Sequence, residues 1–113
     1  MNTTITTTPY RQTSDKIRLL KVSNSIYEFD LMNSEPLCKL QFQKGPRAEV
    51  GINGITVDDL FAACIDHLKG WQATELACGY NTKIIALLEQ ALHECNLRHA
   101  ERAGRGVTGT SKP

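Results

Sequence analysis

Thr56-Val57-Asp58-Asp59-Leu60-Phe61-Ala62-Ala63-Cys64-Ile65-Asp66-His67-Leu68-Lys69-Gly70 is where the chain changes its period. Leu60, Phe61, Ala63, Cys64, His67 and Leu68 recur at the spacing of one helical face. Thr56 carries N-cap chemistry, and Asp58 and Asp59 put carboxylates in the first turn, where the helix dipole favours them. The spacing predicts a first helix from about Val57 to Lys69, ended near Gly70.

Upstream the period is two. Lys16-Ile17-Arg18-Leu19-Leu20-Lys21-Val22 alternates well enough for a strand, Ser23-Asn24-Ser25 is turn chemistry, and Ile26-Tyr27-Glu28-Phe29-Asp30-Leu31 alternates cleanly. Asn33-Ser34-Glu35-Pro36 marks a second turn before a third strand, Leu37-Cys38-Lys39-Leu40-Gln41-Phe42. Such short turns imply an antiparallel meander. Gly45, Pro46, Gly51 and Gly54 make Gln43 to Ile55 an ordered linker, and the Thr-rich residues 1–15 are expected to be flexible or to form an edge strand.

Downstream, Ala73 to Tyr80 is a connection. Asn81 or Thr82 can cap a second helix that runs to about Ala103 and is stopped by Gly104 and Gly106. Its stripe is Ile84, Ile85, Leu88, Ala91, Leu92 and Cys95. At roughly 33 Å it outreaches the first helix, so its last turns must meet something else. The expected class is α+β in one compact domain: residues 1–15 as the N-terminus, 16–55 as an antiparallel β-sheet with its linker, and 56–113 as an antiparallel helical hairpin with a Gly-rich tail.

Thirteen Lys and Arg balance twelve Asp and Glu, for a net charge of +1, so overall charge cannot drive binding to a nucleic acid polymer or a membrane surface. Asp58, Asp59, Asp66, Lys69 and Glu89 interrupt the best apolar runs, which excludes a membrane-spanning helix, and the N-terminal stretch lacks the pattern of a secretion signal. A cytoplasmic protein with four free thiols is therefore expected.

Chemistry can come from three constellations. Arg98 and Arg102 stand i and i+4 on the second helix with Arg105 close behind, a pair of forks suited to two phosphates; the commoner use of such residues is a solvated helix end. Trp71 is the only tryptophan, able to stack on a purine or to plug the corner of the hairpin, and Asn81 can read a nucleotide edge or cap a helix. Cys64 and His67 on one helix, with Cys95 and His99 on the other, could meet as a zinc site, although their heights along the hairpin differ and both cysteines fall on apolar stripes. Catalytic motifs are absent: there is no phosphate-binding loop of the Walker type and no nucleophile elbow.

Leu68-Lys69-Gly70-Trp71-Gln72, Cys78, Asn81, Leu88-Glu89-Gln90-Ala91-Leu92, Asn96, Arg98, Arg102, Arg105-Gly106-Val107 and Gly109-Thr110 together resemble the hairpin domain of phage anti-defence nucleotide sponges. With the preceding sheet and the Lys44-Gly45-Pro46 and Gly51-Ile52-Asn53-Gly54-Ile55 linker, the chain is most similar to the anti-Thoeris family, which shares its hairpin with anti-CBASS sponges. The resemblance implies a non-enzymatic binder, without cofactor or metal, that traps the cyclic ADP-ribose isomer made by TIR-domain sensors. In such proteins an aromatic at Trp71 stacks on the ligand, Asn81 hydrogen-bonds it, and Arg98 and Arg102 hold its phosphates. Arg105 and Thr110, in the most specific part of the motif, join them as ligand-binding candidates. The resemblance further implies homodimers that can build hexamers, some binding cyclic di- and trinucleotides as well, in the cytoplasm of an infected bacterium. Trp71 stands where phenylalanine is more usual, Tyr80 and Thr108 where acidic residues are frequent, and His99 where a small hydroxyl residue is common.

Overall fold

In a computed structural model describing residues 3–5, 17–31 and 36–113, the alternating stretches form a four-stranded antiparallel sheet in chain order. Its strands are β1 (Thr3–Ile5), β2 (Ile17–Lys21), β3 (Ile26–Leu31) and β4 (Pro36–Gln41). The Thr-rich start thus supplies an edge strand, and the rest of residues 1–15 and the turn before Pro36 lie outside the described residues. Leu19 stands opposite Phe29 and Tyr27 opposite Leu40, so alternation collects apolar side chains on one face. Phe42 extends that face, meeting Tyr27 edge to face with ring centroids 5.9 Å apart.

On the other face Arg18 lies opposite Asp30 and grips it with two bonds, Nε to Oδ1 at 3.0 Å and Nη2 to Oδ2 at 2.9 Å. The guanidinium hydrogen bonds hold the Asp30 carboxyl below the usual carboxylate range. A depressed carboxyl contributes stability above its unfolded value and loses it as pH falls through the folded one. Asp30→Asn is therefore expected to lower the melting temperature at neutral pH, with a deficit that shrinks as pH drops below about 4. Thermal melts showing one constant deficit from neutral to strongly acid pH would assign the loss to packing instead.

Residues 42–56 tie the sheet to the helices. Ile55 bridges in parallel to Phe42, donating its N–H to Gln41 O at 2.9 Å and accepting from Gln43 N–H at 2.8 Å. Gly54 makes that approach possible, since a Cβ there would stand 2.5 Å from the carbonyl carbon of Phe42. Gln43 and Asn53 lock the loop reciprocally: Asn53 N–H donates to Gln43 Oε1 at 3.0 Å, and Lys44 N–H to Asn53 Oδ1 at 2.8 Å. Between them the linker holds a single helical turn, α1 (Arg47–Val50).

α2 (Val57–Gln72) and α3 (Gly79–Gly104) form the hairpin around the buried Ile65 and Ile85. Thr56 begins α2 as expected, its N–H donating to the Asp59 carboxylate at 2.9 Å. Two expected boundaries shift. Gly70 stays helical, with no left-handed φ, so α2 continues through Trp71 to Gln72. The corner is then built by the Gln72 amide, which accepts from Cys78 N–H at 3.0 Å and donates to Cys78 O at 3.1 Å, so Cys78 becomes the cap and α3 begins before Asn81. At its far end α3 closes as expected: Gly106 takes φ +71°, and Val107 N–H returns to Arg102 O at 3.1 Å. Among the described residues α2 packs on α3 and the strands on each other, with the linker as the joint between hairpin and sheet. No helix of the described residues is long and apolar enough to cross a membrane.

Candidate functional site

Two adjoining cavities open where the start of α2, the second half of α3 and the linker converge. One, about 310 Å³, is lined chiefly by Phe42, Ile55, Val57 and Cys95, with Asp58 at its edge. The other, about 330 Å³, is polar, walled by Arg47, Arg102, Thr108, Gly109 and Thr110. Gln43, Thr56, Arg98 and His99 line both. The sheet supplies Phe42 by ending where it does, and α3 supplies Arg98 and His99 because its overhang places them beside the first turn of α2.

His99 Nε2 lies 3.3 Å from Asp58 Oδ2 and so pins α3 to α2. The Asp58 carboxyl sits below its ordinary value, chiefly through the Thr56 hydroxyl, then its own backbone N–H and His99. The Arg98 side chain, in contrast, makes no hydrogen bond or ion pair among the described residues, and neither does that of Arg47. An exposed guanidinium left free at the seam of an apolar and a polar cavity can grip an anion whose attached ring enters the apolar side. Arg47 escaped sequence reasoning; the available signal was a basic residue within a linker too rich in Gly and Pro to be read as a site.

The remaining expected residues divide between two places. Arg102 turns to the chain that follows α3, donating from Nη2 to Val107 O at 3.2 Å and Thr110 O at 3.1 Å, and from Nη1 to Lys112 O at 2.9 Å. Arg105 pairs with Glu101, whose carboxyl it holds below the usual range with smaller help from Arg102 and Arg98. Thr110 lines the polar cavity and donates its hydroxyl to Val107 O at 2.7 Å. Trp71 and Asn81 stand at the opposite end of the hairpin. Trp71 is 39% exposed in the last turn of α2, edge-on to His67 with centroids 5.0 Å apart, so it is no corner plug. Asn81 is buried, its amide donating to Gln72 Oε1 at 3.0 Å and Leu76 O at 2.9 Å. From Asn81 to Arg98 is about 25 Å along α3.

The zinc alternative does not assemble. Among the described residues no three His, Cys, Asp or Glu side chains could share an ion, and Cys64, His67, Cys95 and His99 do not converge. Cys64 and His67 face outward on α2, whereas Cys95 lines the apolar cavity and His99 is held by Asp58. All four cysteines are free thiols.

No protein-family model matches the chain. Thoeris anti-defense 1 of Bacillus phage SBSphiJ7 is 45% identical to it over 74 residues, covering 66% of this chain and 52% of the relative. The chain thus spans about half the length of that curated relative.

Proposed function

We propose that the chain, 45% identical to Thoeris anti-defense 1 across the matched residues, belongs to the same family and counters Thoeris defence by sequestering, without cleaving, the cyclic ADP-ribose-type nucleotide made by TIR-domain sensors. The observation that carries this reading is the free Arg98 at the seam of the two cavities. A nucleotide joins a flat, weakly polar ring to phosphates, and the seam offers an apolar lobe beside a cationic one. His99 and Asp58, which line the apolar cavity with Arg98, are paired across two helices, and Glu101 is paired with Arg105, so neither carboxyl group stands free as an acid or base.

A second copy is part of the proposal. Trp71 and Asn81 lie too far from Arg98 for one small nucleotide to touch both ends within one chain, so a stack against Trp71 must come from a neighbouring subunit. Apolar exposure fits: Leu37, Ile52, Leu76, Leu87 and Leu97 are each at least half exposed, against a buried apolar set of Leu20, Ile65, Ile85 and Val107 among the described residues. Dimers or hexamers, binding of cyclic di- or trinucleotides and action in the cytoplasm of an infected bacterium belong to the same reading.

The test is recovery of the ligand. Cyclic ADP-ribose isomers incubated with excess protein should vanish from free solution and return chemically intact on heat denaturation, as read by chromatography. Linear ADP-ribose or AMP accumulating with time would make the protein an enzyme.

A further inference from the structure

We infer that His99 is a ligand contact: its ring nitrogen Nδ1 accepts a hydrogen bond from a ribose hydroxyl of the captured nucleotide, and Asp58 is the positioning residue that sets the ring for it. The inference rests on the sequestering reading for the identity of the ligand and on the Asp58–His99 pair for its chemistry.

That pair decides which ring nitrogen carries the hydrogen. His99 Nε2 stands 3.3 Å from Asp58 Oδ2, between the second half of α3 and the first turn of α2. The Asp58 carboxyl is held below its ordinary range, chiefly by the Thr56 hydroxyl, so at neutral pH it is a carboxylate and can only accept. Nε2 must therefore donate, which leaves Nδ1 bare in the neutral ring. Nδ1 has no partner among the described residues, and the His99 side chain, 45% exposed, lines both cavities beside Arg98.

Few acceptors face a ligand here. Arg47, Arg98 and Arg102 offer donors only. Gln43 has committed its amide to the linker, Nε2 to the carbonyls of Gly45 and Gly51 at 3.2 and 2.8 Å and Oε1 to the N–H of Asn53 at 3.0 Å. Asp58 already takes His99 and Thr56. Among the described residues lining the cavities, Nδ1 of His99 is thus the side-chain nitrogen able to accept, and an ionised phosphate brings no donor to it. In a nucleotide the group between phosphate and base is the ribose, whose hydroxyls do donate. His99 lines the cationic and the apolar lobe alike, so a ligand that spans them passes its ribose along this ring. Cleavage would need in addition an acid for the leaving group, and the nearby carboxyls of Asp58 and Glu101 are both held ionised by their partners.

The tautomer is tested without ligand. Nitrogen-15 shifts of the imidazole in the full-length protein at neutral pH should show His99 protonated on Nε2 alone, and Asp58→Asn, whose amide can donate as well as accept, should move the ring toward the Nδ1–H form. In titrations with cyclic ADP-ribose isomers, His99→Phe should weaken binding roughly three- to tenfold, the size of one hydrogen bond, whereas His99→Asn restores an acceptor near the place of Nδ1 and recovers most of the loss. Among analogues of those isomers that each lack one ribose hydroxyl, one should bind the unaltered chain about as weakly as His99→Phe binds the parent compound, and should lose nothing further in His99→Phe. An analogue with hypoxanthine in place of adenine should keep the full His99→Phe penalty.

An imidazolium or an Nδ1–H ring in the unaltered protein overturns the inference. So does His99→Asn binding no better than His99→Phe, or a His99→Phe penalty that persists in every deoxy analogue. A penalty that vanishes with hypoxanthine instead assigns Nδ1 to the base amine and overturns the hydroxyl. If the unaltered chain binds none of the isomers, the sequestering reading fails and takes the ligand role of Nδ1 with it, while the tautomer still decides what Asp58 does to the ring.

Discussion

Arg98→Ala is expected to abolish measurable capture of a cyclic ADP-ribose isomer in titration calorimetry while leaving the melting curve essentially where it was. The two halves of this result have different causes. Arg98 is exposed and lacks partners among the described residues, so its removal exposes no buried group and breaks no internal bond, and surface changes of that kind stay within about 0.5 kcal/mol. A bound phosphate would lose two charge-assisted hydrogen bonds of about 1.5–3 kcal/mol each, a fall in affinity on the order of a hundredfold or more. Arg102→Ala is not the same experiment, because that side chain holds part of the fold and should lower the melting temperature as well. An Arg98→Ala protein that binds normally would remove the seam of the cavities as the site.

This contrast marks where the sequence stops being readable. The period of two in Ile26–Leu31 and the helical period after Thr56 depend on which side chains need burial, and both elements stand where those patterns put them. The end of α3 was equally legible, since Gly106 sits at the one position that needs a left-handed φ. The overhang of α3 also followed from length alone, and its final turns meet the linker and the chain beyond Gly106. Spacing could show that Arg98 and Arg102 share a helix face, but not that the chain beyond Gly106 turns back to offer carbonyls to only one of them. Gly70 misled for a related reason: a glycine permits a helix end without requiring one, and the Gln72 side chain builds the corner two residues later. The sequence allows Asn81 to cap a helix or to contact a ligand, and the fold commits its amide nitrogen to Gln72 and Leu76 inside that corner. The short α1 was hidden among Gly45, Pro46 and Gly51, where breakers outnumber the residues that form the turn.

Mixing two defective chains should restore binding that neither has alone. Trp71→Ala is expected to cost about 1–3 kcal/mol of affinity if the indole stacks on the base, and Arg98→Ala removes the phosphate grip. Because these residues lie at opposite ends of one hairpin, a shared ligand must take Trp71 from one subunit and Arg98 from another. Random assembly of equal amounts of the two variants then gives about one quarter of sites an intact Trp71 and an intact Arg98, each from a different chain. The assay is co-expression with two affinity tags, which verify that mixed oligomers form, and titration of the unfractionated pool with the same nucleotide, read as the fraction of high-affinity sites. Recovery near that fraction requires a site completed across subunits. No gain over the separate variants, with mixed oligomers present and folded, would rule out a site completed across subunits; if a single chain binds with Arg98 and the Phe42, Ile55 and Val57 lobe alone, Trp71→Ala by itself binds as tightly as the unaltered protein.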